Sequence, residues 1–120
     1  MTDNSSHSKR FSLVGRRALI TGATRGIGWE ISKAMAQAGA KVYINGRDAG
    51  TLDKRCREMA NEGHEVSPAL FDVTDTKAVE VWLDAQAEPP DILVNNAAMR
   101  HRYPISDITQ KTSHTLWTLT

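Results

Sequence analysis

A chain of 120 residues, 40% of them hydrophobic, is long enough for one domain with a real core. Its charge is nearly balanced, 15 Lys+Arg against 14 Asp+Glu, which argues against the basic surplus of nucleic-acid and membrane-surface binders. The single cysteine, Cys56, excludes an internal disulfide and fits a reducing compartment.

Residues 1–12 read as a flexible, polar, Ser-rich tail without the apolar run of a signal peptide. Nowhere does the chain approach the roughly 18 apolar residues of a membrane span, so a soluble, cytoplasmic protein is expected. Ala18-Leu19-Ile20, bounded by Gly15 and Gly22, suits a strand buried on both faces. Ile27, Ile31, Ala34, Met35 and Ala38 follow at helical spacing, and Gly39 ends that helix. Val42-Tyr43-Ile44 is a second strand. Asp48 caps a second helix, which holds Leu52, Cys56 and Met59 and closes near Gly63. Val66 to Phe71 is a third strand, and Pro68 within it points to a sheet edge. Thr74 or Asp75 starts a third helix with Val79, Trp82 and Leu83, stopped by Pro89-Pro90. Ile92-Leu93-Val94 is a fourth strand that ends at Asn95-Asn96. The order β-α-β-α-β-α-β implies a doubly wound α/β fold with a parallel sheet and right-handed crossovers.

Thr21-Gly22-Ala23-Thr24-Arg25-Gly26-Ile27-Gly28 lies between the first strand and the first helix. Gly22 permits a tight turn, Gly26 removes a side chain where a pyrophosphate must approach the backbone, and Gly28 lets helix and strand pack closely. The helix then offers free N–H groups and its positive dipole end to a phosphate. A glycine-rich turn with no ligand is the plain alternative. Placement within a β-α-β unit favours a dinucleotide and a Rossmann-like sheet.

The Thr-Gly-x-x-x-Gly-x-Gly spacing resembles that of the short-chain dehydrogenase/reductase family. Asp72-Val73 resembles the family's Asp-Val pair, whose carboxylate contacts adenine. Asn95-Asn96-Ala97-Ala98 resembles its Asn-Asn-Ala-Gly segment, which supports the sheet beside the cofactor, with Ala98 in place of glycine. The resemblance runs from about Phe11 to Thr109 and makes 13–110 a partial dinucleotide-binding domain, its sheet truncated after about four strands. It assigns cofactor binding to Thr21, Gly22, Thr24, Arg25, Gly26, Ile27, Gly28, Asp72, Val73, Asn95 and Ala97.

NAD-preferring enzymes carry an acid at the end of the second strand to hold the ribose hydroxyls. That position here is Gly46, with Arg47 next and Arg25 in the glycine loop. Two guanidinium groups suit a 2′-phosphate, which favours NADP(H) over NAD(H). Both arginines being plain surface residues is the alternative. Phe11-Ser12-Leu13 and Met99-Arg100-His101-Arg102-Tyr103-Pro104 resemble the gluconate 5-dehydrogenase group. The latter run either meets a sugar-acid or polyol substrate or is an ordinary exposed loop.

The family's catalytic pair is Tyr-x-x-x-Lys, with an upstream Ser; the tyrosine is the general acid/base and the lysine lowers its pKa. Tyr43 is followed four places on by Arg47, and Tyr103 by Asp107. No catalytic residue is therefore assigned. His7, His64, His101 and His114 show no metal-ligand spacing with Cys56, so no metal site is assigned either. Cys56 reads as a small core residue. The resemblance implies hydride transfer between a nicotinamide cofactor and an alcohol/carbonyl pair, with this chain as the cofactor-binding half, inactive alone. The alternatives are a non-catalytic NADP-binding module, associating with a relative or through the exposed edge of the fourth strand, and a pseudogene product.

Residues 111–120 form an atypical tail, with four threonines, a lone tryptophan and no helical stripe. One G lost after the Gln110 codon accounts for it. Restoring that base, with permitted codons, gives Glu-Asp-Phe-Thr-His-Leu-Met-Asp-Val-Asp, which resembles the family's next helix. A naturally divergent or shortened tail is the alternative, and the gene's nucleotides decide.

Overall fold

The computed structural model describes residues 12–97. The expected tails over 1–11 and 111–120, Ala98 and the basic run from Met99 to Pro104 lie outside the described residues. Strands and helices alternate as β1 (Arg17–Ile20), α1 (Gly26–Gln37), β2 (Lys41–Gly46), α2 (Ala49–Asn61), β3 (Val66–Leu70), α3 (Thr76–Asp84) and β4 (Ile92–Val94). Every strand pairing is parallel, and the order across the sheet is β3-β2-β1-β4.

Alternation along the central strands sorts the core into two layers. Ala18, Ile20, Val42 and Ile44 face α1 and α2, where they meet Trp29, Ala36, Leu52 and Met59. Leu19 and Tyr43 point the other way and meet Ala69, Val73, Val79 and Trp82. Two helices thus cover one face and α3 the other, which makes the sheet doubly wound. Ala18, Leu19 and Ile20 are fully buried, as a strand covered on both sides requires. Burying Leu19 and Ile20 stabilises the fold by on the order of 1.5–3 kcal/mol each relative to exposure. The α3 layer is aromatic. The Trp82 ring stands edge-on to Tyr43 at 5.2 Å and tilts against Phe71 at 5.6 Å.

The caps follow the sequence. Asp48 accepts from the Thr51 N–H at 2.9 Å and Asp75 from the Ala78 N–H at 3.1 Å, each ahead of a helix. Pro68 is exposed and sits on β3, the outer strand of the sheet. Two expectations need correction. The buried stripe of α1 is Gly28, Trp29, Ser32 and Ala36, with Ile31 and Met35 packed at its margin. Ile27 is 72% exposed, because Gly28 and Trp29 take the inward positions of the first turn. The third helix ends at Asp84 with cap Ala85, ahead of Pro89-Pro90. Those prolines instead lead the chain into β4, where the Pro89 carbonyl accepts from Arg17 Nε at 2.7 Å.

Candidate cofactor-binding site

In an open parallel sheet, the crevice for a ligand opens outside the carboxyl ends of the strands where the winding reverses. Here that point lies between β1, which leads into α1 on one face, and β4, which is reached from α3 on the other. The glycine loop and the Asn95–Ala97 segment meet at this point.

Thr21 joins them. Its side chain is fully buried, and its Oγ1 accepts from the N–H groups of Asn96 at 2.9 Å and Ala97 at 3.0 Å. The Asn96 side-chain amide donates to the Gly22 carbonyl at 3.1 Å. Packing here leaves no room for side chains. A Cβ on Gly28 would lie 2.3 Å from the Gly22 carbonyl oxygen, and one on Gly22 would lie 3.0 Å from the Ala97 Cα. Gly22 also holds φ +57, in the left-handed region where glycine alone is unstrained.

Asn45, buried in β2, supports the loop from the other side. Its Oδ1 accepts from the Gly22 N–H at 3.1 Å. Its Nδ2 donates to the carbonyls of Ala69 and Phe71, both at 2.9 Å. One amide therefore ties the glycine loop to the end of β3. No sequence motif marks Asn45, since an asparagine at a strand end carries no local signal of a partner 23 residues away.

The outer part of the loop is open. Gly26 holds φ +61, and a Cβ there would meet nothing within 4 Å. The first turn of α1 carries no acidic residue and no side-chain cap bond, so no carboxylate competes with a ligand for the N–H groups and positive dipole end that a helix offers at its start. Arg25 and Arg47 are exposed, and neither side chain has an ion pair among the described residues. At Gly46 a Cβ would come within 2.7 Å of Thr24 Cγ2. Any side chain at Gly46 would therefore have to displace the Thr24 methyl. Donors, open space and cations together fit a phosphate-bearing dinucleotide.

The remaining assigned residues stand nearby in less direct ways. Asp72 Oδ1 accepts from the Thr74 N–H at 2.9 Å and from its hydroxyl at 2.7 Å, forming a turn after β3. Val73 is buried among Leu19, Tyr43 and Val79, which leaves its backbone rather than its side chain for a ligand. Asn95 is exposed, and Ala97 is half-buried with its N–H held by Thr21.

The family model for short chain dehydrogenases matches residues 16–119. The chain belongs to the short-chain dehydrogenase family. It is 44% identical over 109 residues to gluconate 5-dehydrogenase of Gluconobacter oxydans, covering 88% of this chain and 43% of that one. Among solved structures it is similar to a gluconate 5-dehydrogenase from Burkholderia cenocepacia in complex with NADP and tartrate (37% identity, TM-score 0.73, 94% of this chain and 46% of that one). It is also similar to L-sorbose reductase from Gluconobacter frateurii complexed with NADPH and L-sorbose (26% identity, TM-score 0.71, 88% of this chain and 43% of that one). The chain spans less than half the length of the curated relatives it matches.

Other parts of this short-chain dehydrogenase chain show no rival site among the described residues. Tyr43 is buried, and its hydroxyl donates to the Glu88 carbonyl, remote from the loop. Cys56 packs at the margin of the core, where burial and the nearby Asp53 charge raise its thiol pKa above the ordinary value. No group of three metal-ligating side chains is present, and no helix is long and apolar enough to cross a membrane, in both cases among the described residues.

Proposed function

We propose that residues 13–110 form the cofactor-binding half of a cytoplasmic, NADP(H)-dependent oxidoreductase that interconverts an alcohol and a carbonyl on a sugar-acid or polyol substrate. The observation that carries the cofactor choice is the closed Gly46 position beside two exposed arginines. Any side chain there, an acid included, would have to displace the Thr24 methyl, whereas a 2′-phosphate would meet Arg25 and Arg47 in charge-assisted bonds. The NADP and NADPH named in the two structures above support the same choice.

In this reading the backbone from Thr24 to Gly28 binds the pyrophosphate at the start of α1, with Ile27 beside it. Asp72 and Val73 border the adenine, while Thr21, Asn95 and Ala97 form the floor near the carboxyl ends of β1 and β4. When bound, the nicotinamide supplies or accepts a hydride. The proton must be handled elsewhere than at Tyr43, whose hydroxyl is committed to Glu88 and which has Arg47 rather than lysine four places on. In this reading the 120 residues hold the cofactor without turning it over.

Titration of the chain with NADPH and NADH, followed by nicotinamide fluorescence, tests the reading. Selective NADPH binding without oxidation in the presence of 5-ketogluconate is expected. Equal or tighter NADH binding would overturn the cofactor choice, and steady turnover would overturn the division of labour.

A further inference from the structure

One basic side chain near the loop is not an obvious ligand, because its groups are already engaged. Arg55, in the middle of α2, donates from Nε to the Thr24 carbonyl at 2.7 Å. Its Nη1 pairs with Glu58 at 2.9 Å, and its guanidinium lies 4.6 Å over the Trp29 ring of α1. The side chain is only 28% exposed. It therefore links three separate pieces: the glycine loop, the first helix and the second helix.

The carbonyl it holds belongs to the peptide that joins Thr24 to Arg25. Thr24 itself abuts Gly46, the residue before Arg47. The backbone around Arg25 has little else to locate it. Arg25 caps α1 without any side-chain cap bond, and the first bond of the helix, from the Trp29 N–H to the Arg25 carbonyl, is long at 3.4 Å. A bond across 31 residues from a guanidinium stacked on an indole is the firmest contact that this peptide makes.

We infer that Arg55 is a positioning residue for NADP(H) selectivity: by holding the Thr24 carbonyl it sets Arg25 beside Arg47 so that both reach one 2′-phosphate. The assignment rests on the NADP(H) reading above. Arg55 acts through Arg25 and does not itself touch the cofactor. Glu58 and Trp29 hold its guanidinium in plane, so neutralising Glu58 weakens the same effect.

The test is calorimetric titration of the whole chain and of Arg55→Ala, Arg55→Lys and Glu58→Gln with NADP+ and, separately, NAD+. For Arg55→Ala, NADP+ binding is expected to weaken roughly tenfold while NAD+ binding changes by less than about threefold, so that the selectivity ratio collapses. Arg55→Lys, which keeps a charged donor without the fork, falls between, and Glu58→Gln shows a smaller loss of the same sign. If Arg55→Ala does not fold, Arg55→Lys and Glu58→Gln decide alone. Equal weakening of both cofactors overturns the inference and leaves Arg55 a structural brace. A selective parent chain whose variants keep its ratio overturns the inference alone. A parent chain that binds neither cofactor, or both equally, overturns the nucleotide reading and this assignment with it.

Discussion

The two sides of the glycine loop are built to opposite specifications. The side toward β4 is closed: Thr21, Gly22, Gly28 and Asn96 bond or touch one another, and a single Cβ at Gly28 would lie 2.3 Å from a carbonyl. The outer rim is open: Gly26 meets nothing, and Arg25 and Arg47 are exposed. These seven glycine-loop and strand-end positions thus divide into those that make the architecture and those that leave room for a ligand. The difference teaches that a glycine in such a motif has no single role. Gly28 is there because a neighbour is too near, and Gly26 because its backbone is left-handed at an open surface.

Paired substitutions break that comparison most sharply. Gly28→Ala drives a methyl into the Gly22 carbonyl, and overpacking of this kind costs roughly 1–3 kcal/mol or more. Gly26→Ala incurs only left-handed backbone strain, about 1–2 kcal/mol. Thermal melting should show the larger drop for Gly28→Ala, while NADP+ titration should show Gly26→Ala losing binding despite folding. If the two melt alike, the closed and open sides are not distinct.

A second variant probes the contact between Gly46 and the loop. Gly46→Asp alone introduces a Cβ 2.7 Å from Thr24 Cγ2 and is expected to lower both the melting temperature and NADP+ affinity. Adding Thr24→Ser removes that methyl, so the double variant regains stability and prefers NAD+, measurable by paired titrations. Stability that is not regained would place the strain elsewhere.

Arg47→Ala separates binding from folding. The side chain is exposed, so stability should change by less than about 0.5 kcal/mol. NADP+ affinity should fall about 10- to 100-fold through the lost charge-assisted contact, with NAD+ little affected. The smallest effect is at Asp48, beside it. Bonds from the Thr51 hydroxyl and N–H hold its carboxyl below the ordinary carboxylate value. The cap's contribution is therefore fully present above that ordinary value and is lost as pH falls through the lowered one. Acid melting curves of Asp48→Ala should lack this small component, and identical curves would remove the cap from the account.

Local signals made most of this fold legible. The short apolar runs at Ala18, Val42 and Ile92 are strands because both faces are covered, and the Asp48 and Asp75 caps stand where helix starts need an acceptor. The glycine loop was equally plain, since its spacing is itself the geometry. Spacing misplaces the buried stripe of α1, however, because Gly28 and Trp29 take the inward positions and leave Ile27 exposed. Pro89-Pro90 is not the helix stop, since the helix ends at Asp84 with cap Ala85. Asn45 and Arg55 were invisible for a common reason. Each works through backbone groups distant in sequence, at separations of 23 and 31 residues, and no local pattern announces such a bond.

The proposed NADP(H) selectivity requires that the open rim of the loop receive a 2′-phosphate. Amide chemical-shift mapping of the labelled chain with adenosine 2′,5′-bisphosphate, and separately with 5′-AMP, measures it directly. The account predicts that the bisphosphate shifts Arg25, Gly26, Arg47 and Asp48, whereas 5′-AMP leaves Arg47 and Asp48 unmoved. Equal shifts with both nucleotides, or shifts confined to residues away from the loop, would contradict it.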